Sequence, residues 1–411
     1  MKRLILILVY TCAYFFSSAQ KNSLDYFINQ ALANSPLLKD YQSQLFSLTL
    51  DSQIIRAGLR PQVNGNSINM YAPVIGGWGY DKAITNGAQI MELVSVSKTL
   101  VNNKSIASQI TSLQVQNLAV NNNIRISEQD IKKTITDQYI TVFGEQLQID
   151  FNNRVNNMLQ KEDSILKKLA QDNVYKQSDY LAFAVTRQQQ LLNTSQLQMQ
   201  YNFDYAALNY IAGIVDTSIT PLPDPQLFSA TVGDFAASIY YKQFELDSLR
   251  LANDKALIDV NYRPKVSLFA DAGYNSSLDY KPYKNFGTSA GLNITIPIYD
   301  GRQRKMQYSK IDIQEKNRLV KKDFFARLRQ QQILQLVQQL NSTEQQITQI
   351  NKQINYTETL ITVNEKLLAT GDIRLTDFIL ALNNYFTAKN MVTQNYITRL
   401  RIINQLNYWG K

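Results

Sequence analysis

The chain states one pattern twice, and that duplication limits what it can fold into. Asp51-Ser-Gln-Ile-Ile-Arg-Ala-Gly-Leu-Arg-Pro61-Gln-Val63 recurs as Asp254-Lys-Ala-Leu-Ile-Asp-Val-Asn-Tyr-Arg-Pro264-Lys-Val266, 203 residues later. Ser178-Asp179-Tyr180-Leu181 recurs as Thr376-Asp377-Phe378-Ile379, 198 residues later. The two offsets differ by five residues, so one loop is longer in the first copy. A unit of this length is no solenoid repeat. It is a duplicated half-protein, and each half reads as a helix, two short strands and a very long helical run. The expected segments are a first repeat over 20–212 with its hairpin at about 62–97, a linker over 213–233, and a second repeat over 234–411 with its hairpin at about 265–299.

Residues 1–19 read as an export signal. Lys2 and Arg3 are followed by an apolar run from Leu4 to Phe16, and Ser17-Ser18-Ala19 offers a small-residue cleavage site. The run is too short to span a bilayer as a helix. Cys12 stands in a poor context for lipid attachment and is removed with the signal. The remaining chain has no cysteine, and there is no histidine anywhere. Disulfides, thiol catalysis and sulfur metal sites are thereby excluded, as are the commonest general base and metal ligand. No catalytic residue, cofactor or metal is expected. Asp271, Asp279 and Asp300 near the second hairpin are best explained as solvated loop acids. The formal charge of +9 falls to +7 without Lys2 and Arg3. Its basic residues are scattered among Gln and Asn, which does not make a nucleic-acid face.

The first helix is expected from Leu24 to Leu59, with a kink or a fresh start at Ser35-Pro36 and an end at Pro61. Its counterpart runs from about Asp234 to Tyr262. Thr220-Pro-Leu-Pro-Asp-Pro225 between the copies fits neither helix nor central strand. In the second hairpin Val266, Leu268, Ala270, Ala272 and Tyr274 share one face, and Leu292, Ile294, Ile296 and Ile298 alternate with polar residues. Phe269 is an exception. Tyr280, Tyr283 and Phe286 are placed in the connecting loop. The first hairpin has a weaker pattern, and Gly76-Gly77-Trp78-Gly79-Tyr80 reads as a flexible surface loop.

From about Arg302 to Ala369 there is neither proline nor glycine. Ile333, Leu340, Ile347, Ile354, Ile361 and Leu368 recur at sevens, which specifies a coiled-coil seam. The first copy keeps Ile135, Val142 and Ile149, then carries Asn156 and Asp163. Gly371 fits a helix C-cap, Asn173 stands in its place in the first copy, and Thr376 can cap the last helix. Each half thus ends in a helical hairpin whose turn lies far from its strands.

Four candidate membrane strands cannot close a sheet, and open edges are not tolerated in lipid. Strands from several chains must combine, and three copies would give a closed barrel of twelve. The duplicated Arg-Pro-x-Val entry, the Ile296-Pro-Ile-Tyr-Asp-Gly301 exit into the long helix, and Gly371-x-x-x-x-Thr376-Asp377-Phe378 together resemble the outer membrane factor, or TolC, family. The resemblance covers nearly the whole mature chain. It implies a mainly α fold with a small membrane β part: a homotrimer whose twelve-stranded β-barrel in the outer membrane is continued by a coiled-coil α-barrel in the periplasm. It also implies a periplasmic adaptor and an inner-membrane transporter as partners, and efflux of small molecules as the task. Secretion of a polypeptide through the same kind of tunnel is the alternative. A periplasmic coiled-coil scaffold or adaptor is the rival from another class.

The helical turns would form the channel entrance, with Gly371 and Asp372 in the turn and Asp377 and Asp179 just beyond. The chain departs from the family pattern at three places. Asn102-Asn103 replaces the Asp-Gly of the second copy, Leu380 stands where some members carry a second acid, and the arginine of the family's lock falls at Ile373.

Overall fold

The computed structural model describes residues 22–81, 84–85, 87–100, 103–231, 233–278 and 281–410. The export signal, with Cys12, lies outside the described residues, as do Asn102, Asp279 and Tyr280. The first copy contains α1 (Leu24–Asn34), α2 (Pro36–Ala57), β1 (Gln62–Tyr71), β2 (Ala88–Leu100), α3 (Asn103–Gln171) and α4 (Gln177–Ala212). The second repeats this order with a 3-10 turn at Phe235–Ala237, then α5 (Ile239–Asn261), β3 (Lys265–Ser276), β4 (Phe286–Thr295), α6 (Gln303–Thr370) and α7 (Leu375–Trp409). The protein is mainly helical with a small β part. Two compact units share these elements. Among the described residues, the sheet unit comprises Asp40–Asn123 and Tyr240–Asp323, and the helical unit 22–39, Ile124–Ile239 and 324–410.

Local chemistry explains the breaks. Ser23 caps α1 by accepting the Tyr26 N–H at 3.3 Å. Ser35-Pro36 is a fresh start rather than a kink, since Pro36 opens α2 and the Ser35 hydroxyl accepts the Leu38 N–H at 3.4 Å. Thr376 is not the cap expected of it. Arg374 holds that position without a side-chain bond, and Thr376 lies exposed in the first turn of α7.

In the sheet unit the strands form one antiparallel sheet in the order β1-β2-β3-β4. Gly273 in β3 has φ 155°, and a Cβ there would lie 2.1 Å from the Glu92 carbonyl oxygen, so the β2–β3 approach requires glycine. Three expectations are corrected here. The last strand stops at Thr295 instead of running through Ile298, because Pro297 has no N–H for a ladder. Phe286 opens β4 opposite Tyr274, their rings 5.9 Å apart, and is not a loop residue. The Gly-aromatic segment is a tight turn rather than an irregular loop. Ile75 and Trp78 exchange both backbone hydrogen bonds at 3.0 Å around Gly76 and Gly77, which have φ of 58° and 86°. Positive φ at both central residues is the hairpin turn whose twist matches its flanks.

The helical unit is held by side chains from both copies. One core gathers Phe27, Ile135, Tyr139, Tyr205, Leu208 and Leu400, all buried. Another gathers Phe151, Leu159, Leu166, Phe183, Leu368 and Phe378. Burying each such side chain contributes about 1.5–3 kcal/mol. The proline-bearing linker is pinned to the first core. Tyr139 donates its hydroxyl to Pro223 O at 2.7 Å, and Gln146 both accepts the Leu222 N–H at 2.7 Å and donates to its carbonyl at 3.1 Å.

On α6 the heptad residues Ile354, Ile361 and Leu368 are buried, and Ile333, Leu340 and Ile347 half-buried. A second line three residues on is buried throughout: Leu336, Thr343, Ile350, Thr357 and Asn364. On α3 the expected Asn156 and Asp163 are half-buried and bonded. Asn156 donates to Thr194 at 2.9 Å, and Asp163 pairs with Arg187 at 3.1 Å.

Candidate functional site

The residues singled out in the sequence fall in two regions, one in each unit. In the sheet unit, strand pairing assigns every side chain to a face, because directly opposed residues point the same way. Tyr274, Ala272, Ala270, Leu268 and Val266 oppose Phe286, Thr288, Ala290, Leu292 and Ile294. On β2, Val94, Val96 and Leu100 join them. This face is apolar over β3 and β4. The other face carries Ser95, Ser97, Ser267, Asp271, Ser289 and Asn293. Asn66 donates to Ser95 at 2.9 Å there, and Ser289 donates to Asp271 at 3.3 Å. Asp271 is therefore a strand residue, not a loop acid.

Exceptions to this alternation have visible causes. Phe269 lies on the polar face because its ring covers Gly291, where a Cβ would come within 2.5 Å of it. On the apolar face Ser67, Asn69 and Glu92 solvate one another. Ser67 donates to Glu92 at 2.7 Å and Asn69 to Glu92 at 3.2 Å. Ile68 and Met70 consequently fall on the polar face, which is why the first hairpin patterned poorly.

In the helical unit the two turns that join the long helices lie together. Gly371, with φ 77°, ends α6. Its N–H reaches Leu368 O at 3.2 Å and the Asp372 N–H reaches Leu367 O at 2.9 Å. Asn173, with φ 61°, closes α3 in the same way through Ala170 and Leu169. Both are Schellman caps. Tyr175, which sequence reasoning missed, joins the turns by donating to Leu368 O at 3.3 Å and Ile373 O at 2.9 Å. Burial, and then the Asp372 carboxylate, push its phenol above the ordinary range. A Cβ on Gly371 would lie 2.8 Å from the Val174 side chain. The structure thus brings Gly371 and Asp372 against the first-copy turn.

Asp179 and Asp377 both occupy the third position of their helices, α4 and α7, where an acid is favoured by the helix dipole. Asp377 is exposed beside the fully buried Phe378, while Asp179 is half-buried. Among the described residues no hydrogen bond or ion pair joins the two acids. A groove in the same unit is walled by amides, among them Gln148, Asn152, Gln190, Asn193, Asn390 and Gln394. Among the described residues no three metal-ligating side chains cluster. Asp300 is a structural acid that accepts the Arg304 N–H at 2.7 Å.

No protein-family model and no curated protein matches the sequence. Solved structures do. The outer membrane protein VceC of Vibrio cholerae aligns over 94% of this chain and 96% of its own, with TM-score 0.76 and 13% identity. The chain has the fold of outer-membrane channels. The Neisseria gonorrhoeae MtrE channel in its open state aligns with TM-score 0.73 at 13% identity, over 94% of this chain and 88% of its own. The Campylobacter jejuni CmeC channel gives 0.71 at 13% identity, over 94% and 85%. The channel fold therefore accounts for nearly the whole length of the chain, sheet unit and helical unit alike.

Proposed function

We propose that this protein is an outer-membrane channel of the outer membrane factor type: a homotrimer that serves as a passive exit duct for small molecules. It would work with a periplasmic adaptor and an inner-membrane transporter, which supplies the energy. The observation that carries this reading is the four-stranded sheet, apolar on one face over β3 and β4 and polar on the other, whose edges β1 and β4 have no partner strand among the described residues. In lipid such edges must be paired, and β4 of one copy against β1 of the next preserves the antiparallel order. Three copies then close twelve strands, an even number, with the apolar face outward. The helices attached to the two edges each expose an apolar stripe, Phe46, Leu50 and Ile54 on α2, and Met306, Ile313 and Val320 on α6. Neighbouring copies cover these stripes in the same arrangement. The solved channels of this fold support the membrane location. The efflux task and the two partners rest on the family resemblance. Mass measurement in mild detergent should give three chains, and planar-bilayer recording should give a conducting pore. A stable pore-forming monomer would sink the proposal.

A further inference from the structure

Cations gather at one end of the sheet. β1 and β3 begin there, and β2 and β4 finish there. The segments at that end, 56–62, 98–105, 259–265 and 296–305, hold nine basic and two acidic residues. The loops at the opposite end, 72–87 and 277–285, hold three basic and two acidic. Both acids at the charged end are engaged internally. Asp259 accepts from Arg304 at 2.6 Å and from the Tyr308 hydroxyl, and Asp300 accepts the Arg304 backbone N–H. Arg60, Lys98, Arg302 and Lys305 are exposed, and none of them takes part in a salt bridge among the described residues.

The apolar face of the sheet begins beside these charges. Lys98 itself lies on the apolar face, opposite Leu268 and between Val96 and Leu100 along β2. A lysine in that setting lays its stem along apolar neighbours and extends its ammonium to the nearest polar layer. A soluble anion would need the charges but not the adjoining apolar strip. A lipid with a charged phosphate uses both.

We propose that this row of cations binds the phosphate groups of anionic phospholipids in the adjacent membrane leaflet. The inference rests on the reading that the apolar face meets lipid, and it adds a lipid class and a set of residues to that reading. Lys265 is an internal control. It pairs with Thr295 on the polar face and is turned away from the proposed lipid side.

The test uses the full-length oligomer in vesicles of phosphatidylcholine alone and of an equal mixture with phosphatidylglycerol. Loss of the oligomer on heating is followed at low and high salt. The wild type should melt higher in the mixture, and salt should remove the gain because exposed charges are screened. Arg60→Gln, Lys98→Gln and Lys305→Gln combined should abolish most of the gain, and Lys98→Gln alone part of it. Lys265→Gln should keep it. An equal gain in the triple variant, or none in the wild type once inserted, overturns the proposal. So does an equal gain from inorganic phosphate in detergent, which would make the site one for a soluble anion. Failure of the wild type to enter either vesicle removes the membrane reading and this inference together.

Discussion

Glu145 on α3 is a carboxyl whose environment favours its protonated form. One of its oxygens is buried without a hydrogen-bond partner among the described residues. Burial, followed by a hydrogen bond to Asp204, pushes it up to about 8, while the Arg401 charge opposes the rise. Because the folded value lies above the unfolded 4.5, the native state holds the proton more firmly. Its stabilising contribution is complete below that unfolded value and is lost as pH rises through about 8. Glu145→Gln should therefore flatten the decline in stability between those limits. The difference should be on the order of 1 kcal/mol, since the group is only half-buried and partly screened by water. Urea midpoints measured across that pH interval check it, and parallel curves for variant and wild type would refute it.

Asp377 poses a different question at the same scale. Its place in the first turn of α7 explains an acid there without reference to a pore. If the trimer closes around it, three such carboxylates surround one opening and attract cations. Asp377→Asn should then lower cation selectivity in bilayer recordings, most visibly at low ionic strength. Its effect on folding should stay within about 0.3–1 kcal/mol of lost helix-dipole stabilisation. Unchanged reversal potentials in an assembled trimer would remove Asp377 from the entrance.

Among the elements, the strands offer the sharpest contrast between adjacent residues. Val94 is the middle residue of β2 and lies on the apolar face, whereas Ser95 lies on the polar one. If the apolar face meets lipid as proposed, Val94→Asp places a carboxylate there at a cost of about 1–2 kcal/mol near mid-membrane, and Ser95→Asp faces water. The yield of inserted trimer should fall for the first and hold for the second. Equal losses would contradict the register. The sequence made this alternation readable in β3 and β4, where nearly every second residue is apolar. It obscured β1, because Ser67, Asn69 and Glu92 satisfy one another on the wrong side, and no pattern of single residues reveals such a pairing. The seam of α6 was half readable for a related reason. Its isoleucines and leucines recur at sevens, but the companion line includes Thr343, Thr357 and Asn364. Thr343 and Thr357 can be buried because each hydroxyl donates to a carbonyl one turn back, at 2.8 Å to Gln339 and 3.0 Å to Gln353. At the turns, Gly371 and Asn173 announced their left-handed conformation. Tyr175 did not announce itself, since its two acceptors lie almost two hundred residues away in sequence.

For the molecule as a whole, duplication in the sequence foretold two matching sets of elements, and the structure has them. In the proposed trimer, closure of the barrel belongs to no single chain, and the sequence pointed to it only by supplying too few strands. The unpaired β1 and β4 edges bear on how the protein matures. In the trimer proposed above, a chain that has formed all its own contacts still has two backbone edges to satisfy, and only other chains can satisfy them. The last steps of such a maturation would be collisions, whose rate rises with the number of chains present and stalls on dilution. Until they occur, each edge is an open template for any extended segment it meets. Slow synthesis or low copy number thus lengthens the interval in which wrong pairings compete with the right one.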